Sequence, residues 1–197
     1  ASGPVTVVFL WSRGAERQSH ARLREMGINL KVVAPHDLAA ALKDAEIFYL
    51  SSEWAGIDAE RKAVVDNAKA IETLVRRGGG LYVSQPNVSA KIEGLPLELE
   101  VGLEYNSGDT CEIEGEAKLF DGLKPADLPF ACDTVKSHDK AFRVAARGKP
   151  SGSPALLLAD WRGGRVVVNL DNDNVRIPGG NAVGGNHASY LLMQRLI

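Results

Sequence analysis

Apolar residues in the first half of the chain fall into short continuous runs, separated by stretches where they recur every three or four positions. Val5 to Trp11 is an almost unbroken run of apolar and β-branched residues, which is typical of a strand buried on both faces of a parallel sheet. Further runs occur at Ile47 to Leu50 and Leu81 to Val83, and Ile28 to Ala34 places its apolar residues at Ile28, Leu30, Val32 and Val33. The pattern therefore predicts four strands.

The stretches between these runs have helical spacing. Ala15 to Met26 predicts a first helix, and Gly27 suits the residue just beyond its end. Asp37 predicts the N-cap of a short second helix. From Asp58, the predicted cap of the third helix, apolar residues step by four, three and four up to a glycine triplet (Val64, Ala68, Ile71, Val75, then Gly78 to Gly80). Short helical crossovers between strands predict a flavodoxin-like α/β three-layer sandwich with a mostly parallel sheet.

The regular pattern breaks down between Val88 and Arg147. Glycines and prolines interrupt short alternating runs there, such as Thr110 to Glu116. Such punctuation is typical of short antiparallel strands and turns. We therefore predict an irregular insertion at 88–147 within a single domain that spans residues 1–197.

The last fifty residues regain a simple pattern. Ala155 to Ala159 is apolar, and Arg165 to Leu170, rich in valine, is a strong strand pattern on the other side of a glycine turn, which predicts a C-terminal β-hairpin. A polar, glycine-rich loop at Asp171 to Gly185 follows, and Asn186 suits the cap of a final helix.

Four short motifs lie along these predicted elements. They are an acidic turn after the third strand, a triple glycine before the fourth, a Leu-Phe-x-Gly-Leu element and a glycine turn before the last strand (Leu50 to Trp54, Arg77 to Val83, Leu119 to Leu123, Gly163 to Val168). In these motifs the chain resembles the class I glutamine amidotransferase-like superfamily, and within it the trehalose-utilisation (ThuA-like) domains. The resemblance implies the same flavodoxin-like sandwich.

The sequence departs from the catalytic members of that superfamily. They place a Cys in the turn after the fourth strand, whereas this chain reads Ser84-Gln85-Pro86-Asn87. Their His-x-Glu pair is absent, because the late histidine reads His187-Ala188-Ser189. Glutaminase chemistry needs a thiolate beside a base. We therefore expect no glutaminase activity, and predict a non-catalytic ligand-binding or interaction module. The alternative is a carbohydrate-related enzyme or sugar-binding protein of ThuA-like type.

Candidate ligand residues follow from the strand positions. In open α/β sheets, ligands bind at the carboxyl ends of the strands. We expect a site drawn from these strand ends and from two later histidine segments, namely Ser12, Arg13, Glu53, Trp54, Gln85, Asn87, His138, Asp139 and His187. Arg13 and Arg17 flank a predicted helix start, which suits an anion. The alternative is that these residues only cap helices and solvate loops.

The carbohydrate-related alternative makes a geometric prediction. His138-Asp139-Lys140-Ala141-Phe142 resembles the Asp-Glu-x-Tyr stretch of ThuA-like domains, with Lys140 and Phe142 in place of Glu and Tyr. If the alternative holds, the acidic, aromatic and histidine candidates should converge on one pocket, with a histidine touching a carboxylate. This set is Glu53, Trp54, Gln85, His138, Asp139, Asp171, Asp173 and His187.

A divalent metal is the one cofactor for which the sequence has candidate ligands. Asp171-Asn172-Asp173-Asn174 places oxygen ligands at alternate positions, which suits calcium or another divalent cation. Asp171 and Asp173 are therefore candidate metal ligands. Asp and Asn also favour turns for local reasons, so an ordinary turn is the alternative. We predict no other cofactor.

Composition narrows the classes of partner. The chain has 197 residues, 45% of them hydrophobic and 24% charged, with a net charge of −2, and this is typical of a soluble globular protein. The near-neutral balance gives no electrostatic footprint for nucleic acid, and no apolar run approaches the roughly 18 residues of a membrane span. We expect a small-molecule or protein partner, and the oligomeric state stays open.

The two cysteines are the only indication of compartment. Cys111 and Cys132 are either separate buried thiols or the partners of one disulfide. The chain starts at Ala1 without Met, as expected for an exported protein after signal cleavage or for a piece of a longer chain. The location stays open.

Overall fold

The structure is a computed structural model that describes residues 3–16, 18–103, 110–122 and 133–170. Its main sheet has eight strands. The strands are β1 (Thr6–Leu10), β2 (Asn29–Val33), β3 (Ile47–Leu50), β4 (Gly80–Ser84), β5 (Ala90–Lys91), β6 (Leu99–Gly102), β7 (Thr110–Ile113), β8 (Thr134–His138), β9 (Arg143–Lys149), β10 (Pro154–Trp161) and β11 (Gly164–Asn169). The order in the main sheet is β2-β1-β3-β4-β11-β10-β9-β7. The strands from β2 to β11 in that order run parallel.

Helices cover both faces of this sheet, which confirms the predicted three-layer α/β architecture. They are α1 (Gln18–Glu25), α2 (Leu38–Ala41), α3 (Asp58–Asp66) and α4 (Ala68–Arg76). Leu23 of α1 lies in the core cluster on one face, whereas Leu38 of α2, Val64 of α3 and Ile71 of α4 lie in the cluster on the other. The predicted C-terminal hairpin is confirmed as the antiparallel pair β10 and β11.

The continuous apolar runs are explained by burial on both faces. In β1, Val8 and Leu10 belong to the cluster under α2, α3 and α4, and Val7 and Phe9 belong to the cluster under α1. The same alternation holds along β3, β4 and β11. Each fully buried side chain of this kind contributes about 1.5–3 kcal/mol, so every position of the run is apolar.

An aromatic row ties the three central strands together. Phe9 stacks on Tyr49 with ring centroids 4.7 Å apart, and Tyr49 stacks on Tyr82 at 4.6 Å. These residues face each other in the register of β1, β3 and β4. The Tyr82 hydroxyl accepts a hydrogen bond from Asn169 Nδ2 at 2.9 Å, which extends the row to β11.

The predicted third helix is two helices, because the chain leaves helical geometry at Asn67. Asn67 has φ −106° and ψ 14°, and its side-chain Nδ2 donates to the carbonyl of Ala63 at 2.8 Å. This is the competition between a short polar side chain and the helical backbone that ends helices. Asp58 is the first helical residue, with Ile57 at the cap position. The expected side-chain cap at Asp37 is also missing, since no cap hydrogen bond forms there.

The first helix is shorter than predicted, since α1 begins at Gln18 and ends at Glu25. Gly27 follows with φ +78°, which fits the predicted glycine beyond a helix end.

The predicted insertion divides between two sheets. β5, β6 and β8 form a separate three-stranded antiparallel sheet, as expected for short strands. β7 and β9 instead extend the main sheet beyond β10. Ala145 and Ala146 of β9 lie in the core cluster under α1, so burial holds this strand on the sheet. Cys111 lies on β7, whereas Cys132 lies outside the described residues, and the disulfide stays a prediction.

Within the described ranges, no helix has both the length and the apolar character needed to cross a bilayer.

The glycine triplet ends α4 and brings it against the hairpin. Gly78 has φ +94°, the left-handed conformation that suits a helix end. Gly164 starts β11, and a Cβ there would lie closer than 3.0 Å to the carbonyl oxygens of Gly79 and Val75. The close approach of these backbones therefore requires glycine at position 164.

We predict that Gly164→Ala lowers the free energy of unfolding by about 2–3 kcal/mol, because the methyl group meets backbone atoms that cannot move independently. Urea denaturation measures the loss. Gly115→Ala is the matched control, since the nearest atom to its Cβ is 3.9 Å away. Equal effects of the two substitutions would contradict this packing.

Candidate functional site

Three loops follow neighbouring parallel strands and meet at one edge of the sheet. Ser12 and Arg13 follow β1, Ser51 to Trp54 follow β3, and Gln85 to Asn87 follow β4. β1 lies between β2 and β3, so the chain direction across the sheet reverses here, as at the ligand sites of open α/β sheets. We call the polar residues gathered there the carboxyl-edge cluster, namely Ser12, Arg13, Ser51, Ser52, Glu53, Glu60, Ser84, Gln85 and Asp133.

A buried ion pair lies at the centre of this cluster. Glu60 of α3 has no exposed surface, and the Arg13 side chain is 10% exposed. Arg13 Nε donates to Glu60 Oε1 at 3.1 Å and Nη2 donates to Oε2 at 3.0 Å. Ser12 adds two donors to Oε1, its backbone N at 2.8 Å and its hydroxyl at 2.9 Å. The carboxylate is therefore bound bidentately, the strong arrangement for a charged pair.

The remaining donors of Arg13 join the β1 and β3 loops. Nη1 donates to the carbonyl of Ser52 at 2.9 Å, and Nη2 donates to the Ser51 hydroxyl at 2.6 Å. The guanidinium carbon lies 4.2 Å from the centroid of the Trp11 ring, within the range of a cation–π contact. Arg13 thus directs these hydrogen bonds to groups of this chain, and its Nη1 also lies 3.5 Å from Glu53 Oε2. Arg17, the other residue of the expected anion site, lies outside the described residues, and that site stays a prediction.

The sequence prediction missed Glu60, although a signal was present. Val64 is a core position of the predicted helix, and Glu60 lies one helical turn before it. A glutamate therefore occupies the helix face that is expected to be buried. A carboxylate at a core position needs a buried partner, and this could have pointed to Arg13.

Glu53 adopts a strained backbone at the same edge. Its φ is +71°, a left-handed conformation that costs a residue with a Cβ about 1–3 kcal/mol and clusters at functional sites. Two backbone bonds hold it there: its N–H donates to the carbonyl of Gln85 at 2.8 Å, and its carbonyl accepts from Gly56 N at 3.0 Å. The side chain is 40% exposed, with Oε2 at 3.5 Å from Arg13 Nη1.

The loop after β4 is held by Asp133, which immediately precedes β8. Gln85 Nε2 donates to Asp133 Oδ1 at 2.9 Å, and Asn87 N donates to Oδ2 at 2.6 Å. Gln85 and Asp133 are both buried. Burial raises the pKa of the Asp133 carboxyl above its usual value, against the hydrogen bonds from Gln85, Asn87 and Val88 that favour its ionised form.

Within the part of the chain that the structure describes, the buried Oε1 atom of Gln85 accepts no hydrogen bond. Most buried polar side-chain atoms in folded proteins are paired. Asp133 escaped the sequence prediction because it follows the irregular segment and contacts a loop 48 residues earlier along the chain.

Buried polar groups concentrate at this edge. Of the seven buried polar or charged residues in the described part of the chain, six belong to the carboxyl-edge cluster, and His20 is the exception. The hydroxyls of Ser52 and Ser84 lie 3.1 Å apart and link the β3 and β4 loops. Burying so many polar groups together lowers the stability of the fold unless they have hydrogen-bond partners.

The structure brings together Ser12, Arg13, Glu53, Gln85 and Asn87 among the predicted site residues. Trp54 lies next to Glu53, but its side chain packs in the core cluster, so its place there is structural. His187, Asp171 and Asp173 lie outside the described residues, and their roles stay predictions.

His138 and Asp139 do not reach this edge, and the expected convergence fails for them. Asp133 stands at the start of β8 and His138 at its end, five residues or about 16 Å along the strand. His138 Nδ1 bonds to the backbone oxygen of Asp139 at 2.9 Å. The Asp139 carboxylate accepts from Ala141 N at 2.8 Å. This pair forms the turn between β8 and β9.

Two further features bear on ligand binding. The described residues contain no group of three or more side chains suited to hold a metal ion.

A cavity of about 580 Å³ lies at the opposite, amino-terminal edge of the strands, among residues that include Glu46, Gly80 and Arg165. Ligands of open α/β sheets bind at the carboxyl edge, so we place the candidate site with the polar cluster.

Neither a protein-family model nor a curated protein sequence matches the chain. Solved structures do match it. One is a candidate GMP synthase component from Thermoplasma acidophilum, with a TM-score of 0.62 and 13% identity, over 99% of this chain and 96% of that one. Another is a candidate ThuA-like protein from Bacteroides uniformis, with a TM-score of 0.52 and 14% identity, over 100% and 91%.

The fold also occurs inside a larger enzyme. A β-galactosidase from Rahnella sp. R3 matches with a TM-score of 0.61 and 12% identity, over 98% of this chain but only 31% of that one. Identities this low establish the fold alone. This chain therefore has the glutamine amidotransferase-like fold, as the sequence resemblance implied.

We predict that Asp133→Asn gains stability relative to wild type as the pH rises from about 4 towards 7. Because the pKa of Asp133 is raised in the folded state, protonation of this carboxyl stabilises the folded wild-type protein. This stabilisation is fully present below the unfolded-state pKa and is lost as the pH rises through the folded-state pKa. The asparagine does not titrate, and Gln85 can turn its amide to accept from it. Urea denaturation at a series of pH values measures the difference. A difference that stays constant, or changes in the other direction, would contradict a raised pKa.

Proposed function

We propose that this protein is a non-catalytic ligand-binding module, with its site at the carboxyl-edge cluster of an amidotransferase-like fold. Glu53 is the residue that meets the ligand. Arg13, Glu60 and Asp133 are positioning residues that hold the three loops.

The conformation of Glu53 carries the proposal. A non-glycine residue at positive φ costs stability, and the surrounding hydrogen bonds are needed to maintain it. Glu53 also keeps 40% of its side chain exposed, at the edge where ligands of this sheet type bind. A strained residue with an exposed carboxylate, supported by the buried polar residues of the carboxyl-edge cluster, is the arrangement expected of a binding site.

The groups after β4 support binding in preference to glutaminase catalysis. Gln85 occupies the position that follows the strand, and its amide is held by the Asp133 carboxylate. An amide is not a nucleophile. Cys111 lies on β7, the fourth strand beyond β4 in the sheet order, and is therefore remote from the turn after β4, whereas Cys132 lies outside the described residues.

The carbohydrate-related alternative has weaker support. The fold recurs in the Rahnella β-galactosidase, but that likeness concerns the fold. Its predicted site required His138 and Asp139 to converge with Gln85, and these two residues form a distant turn instead.

The test is Glu53→Gly. Glycine adopts positive φ without strain, so the free energy of unfolding should stay level or rise by up to about 1 kcal/mol, whereas ligand binding should be lost. A thermal-shift screen of metabolites that includes sugars, amines, carboxylates and divalent cations identifies the ligand. A ligand at 100 times its Kd adds about 2.7 kcal/mol of stability to wild type.

Glu116→Gly is the matched control, because Glu116 also has positive φ, at +55°, and pairs with an arginine, Arg143. It should leave binding unchanged. A ligand that stabilises wild type and Glu53→Gly equally would contradict the proposed site. A screen with no hit would contradict a small-molecule ligand.

A further inference from the structure

We draw no further inference here: the strongest candidate, the cavity of about 580 Å³ at the amino-terminal edge of the strands, is lined by glycines that the close approach of α4 to the hairpin already explains and by the exposed charged residues Glu46, Asp160 and Arg165, and nothing in the described part of the chain shows what would fill it.

Discussion

Arg13 and Glu60 bury opposite charges between the β1 loop, the β3 loop and α3, and the carboxyl edge of the sheet is organised around them. Taking two charges out of water costs several kcal/mol per ion, which only good geometry and additional hydrogen bonds offset. Both are present, because the pair is bidentate and Ser12, Ser51 and Ser52 satisfy the remaining atoms. The two loops and the helix are thereby fixed in one arrangement.

The other features of the edge follow from this constraint. With the β3 loop held at Ser51 and Ser52, the next residue, Glu53, binds the β4 loop through its backbone N–H and is kept at positive φ. Asp133 holds the β4 loop from its other side and links it to the second sheet. Rigid support of this kind is what a preorganised binding residue requires. The strained backbone of Glu53 and the fixed positions of the loops around it therefore depend on the same hydrogen bonds.

The sequence predicted those parts of the fold and site that depend on local pattern. Continuous apolar runs predicted the central strands, because each residue is buried on one face or the other. Residues directly after strands, such as Arg13 and Glu53, followed from topology alone. The break at Asn67 was missed because side-chain competition with the helical backbone leaves no trace in apolar spacing.

Residues brought in from a distance were harder to predict. Glu60 lies inside a helix, where the periodicity argument considers apolar positions and passes over a carboxylate on the same face. Asp133 reaches Gln85 across 48 residues, and no local pattern encodes such a contact. His138 was selected for its chemistry, but its position at the far end of β8 depends on strand pairing within the insertion.

A double-mutant cycle on the central ion pair tests this account most directly. Arg13→Met, Glu60→Leu and the double variant are compared with wild type by urea denaturation. We expect each single change to cost about 3–5 kcal/mol, because it leaves a buried charge unpaired, and the double change to cost far less than their sum. Additive costs would show that the two charges do not depend on each other, and would contradict an edge organised around this pair.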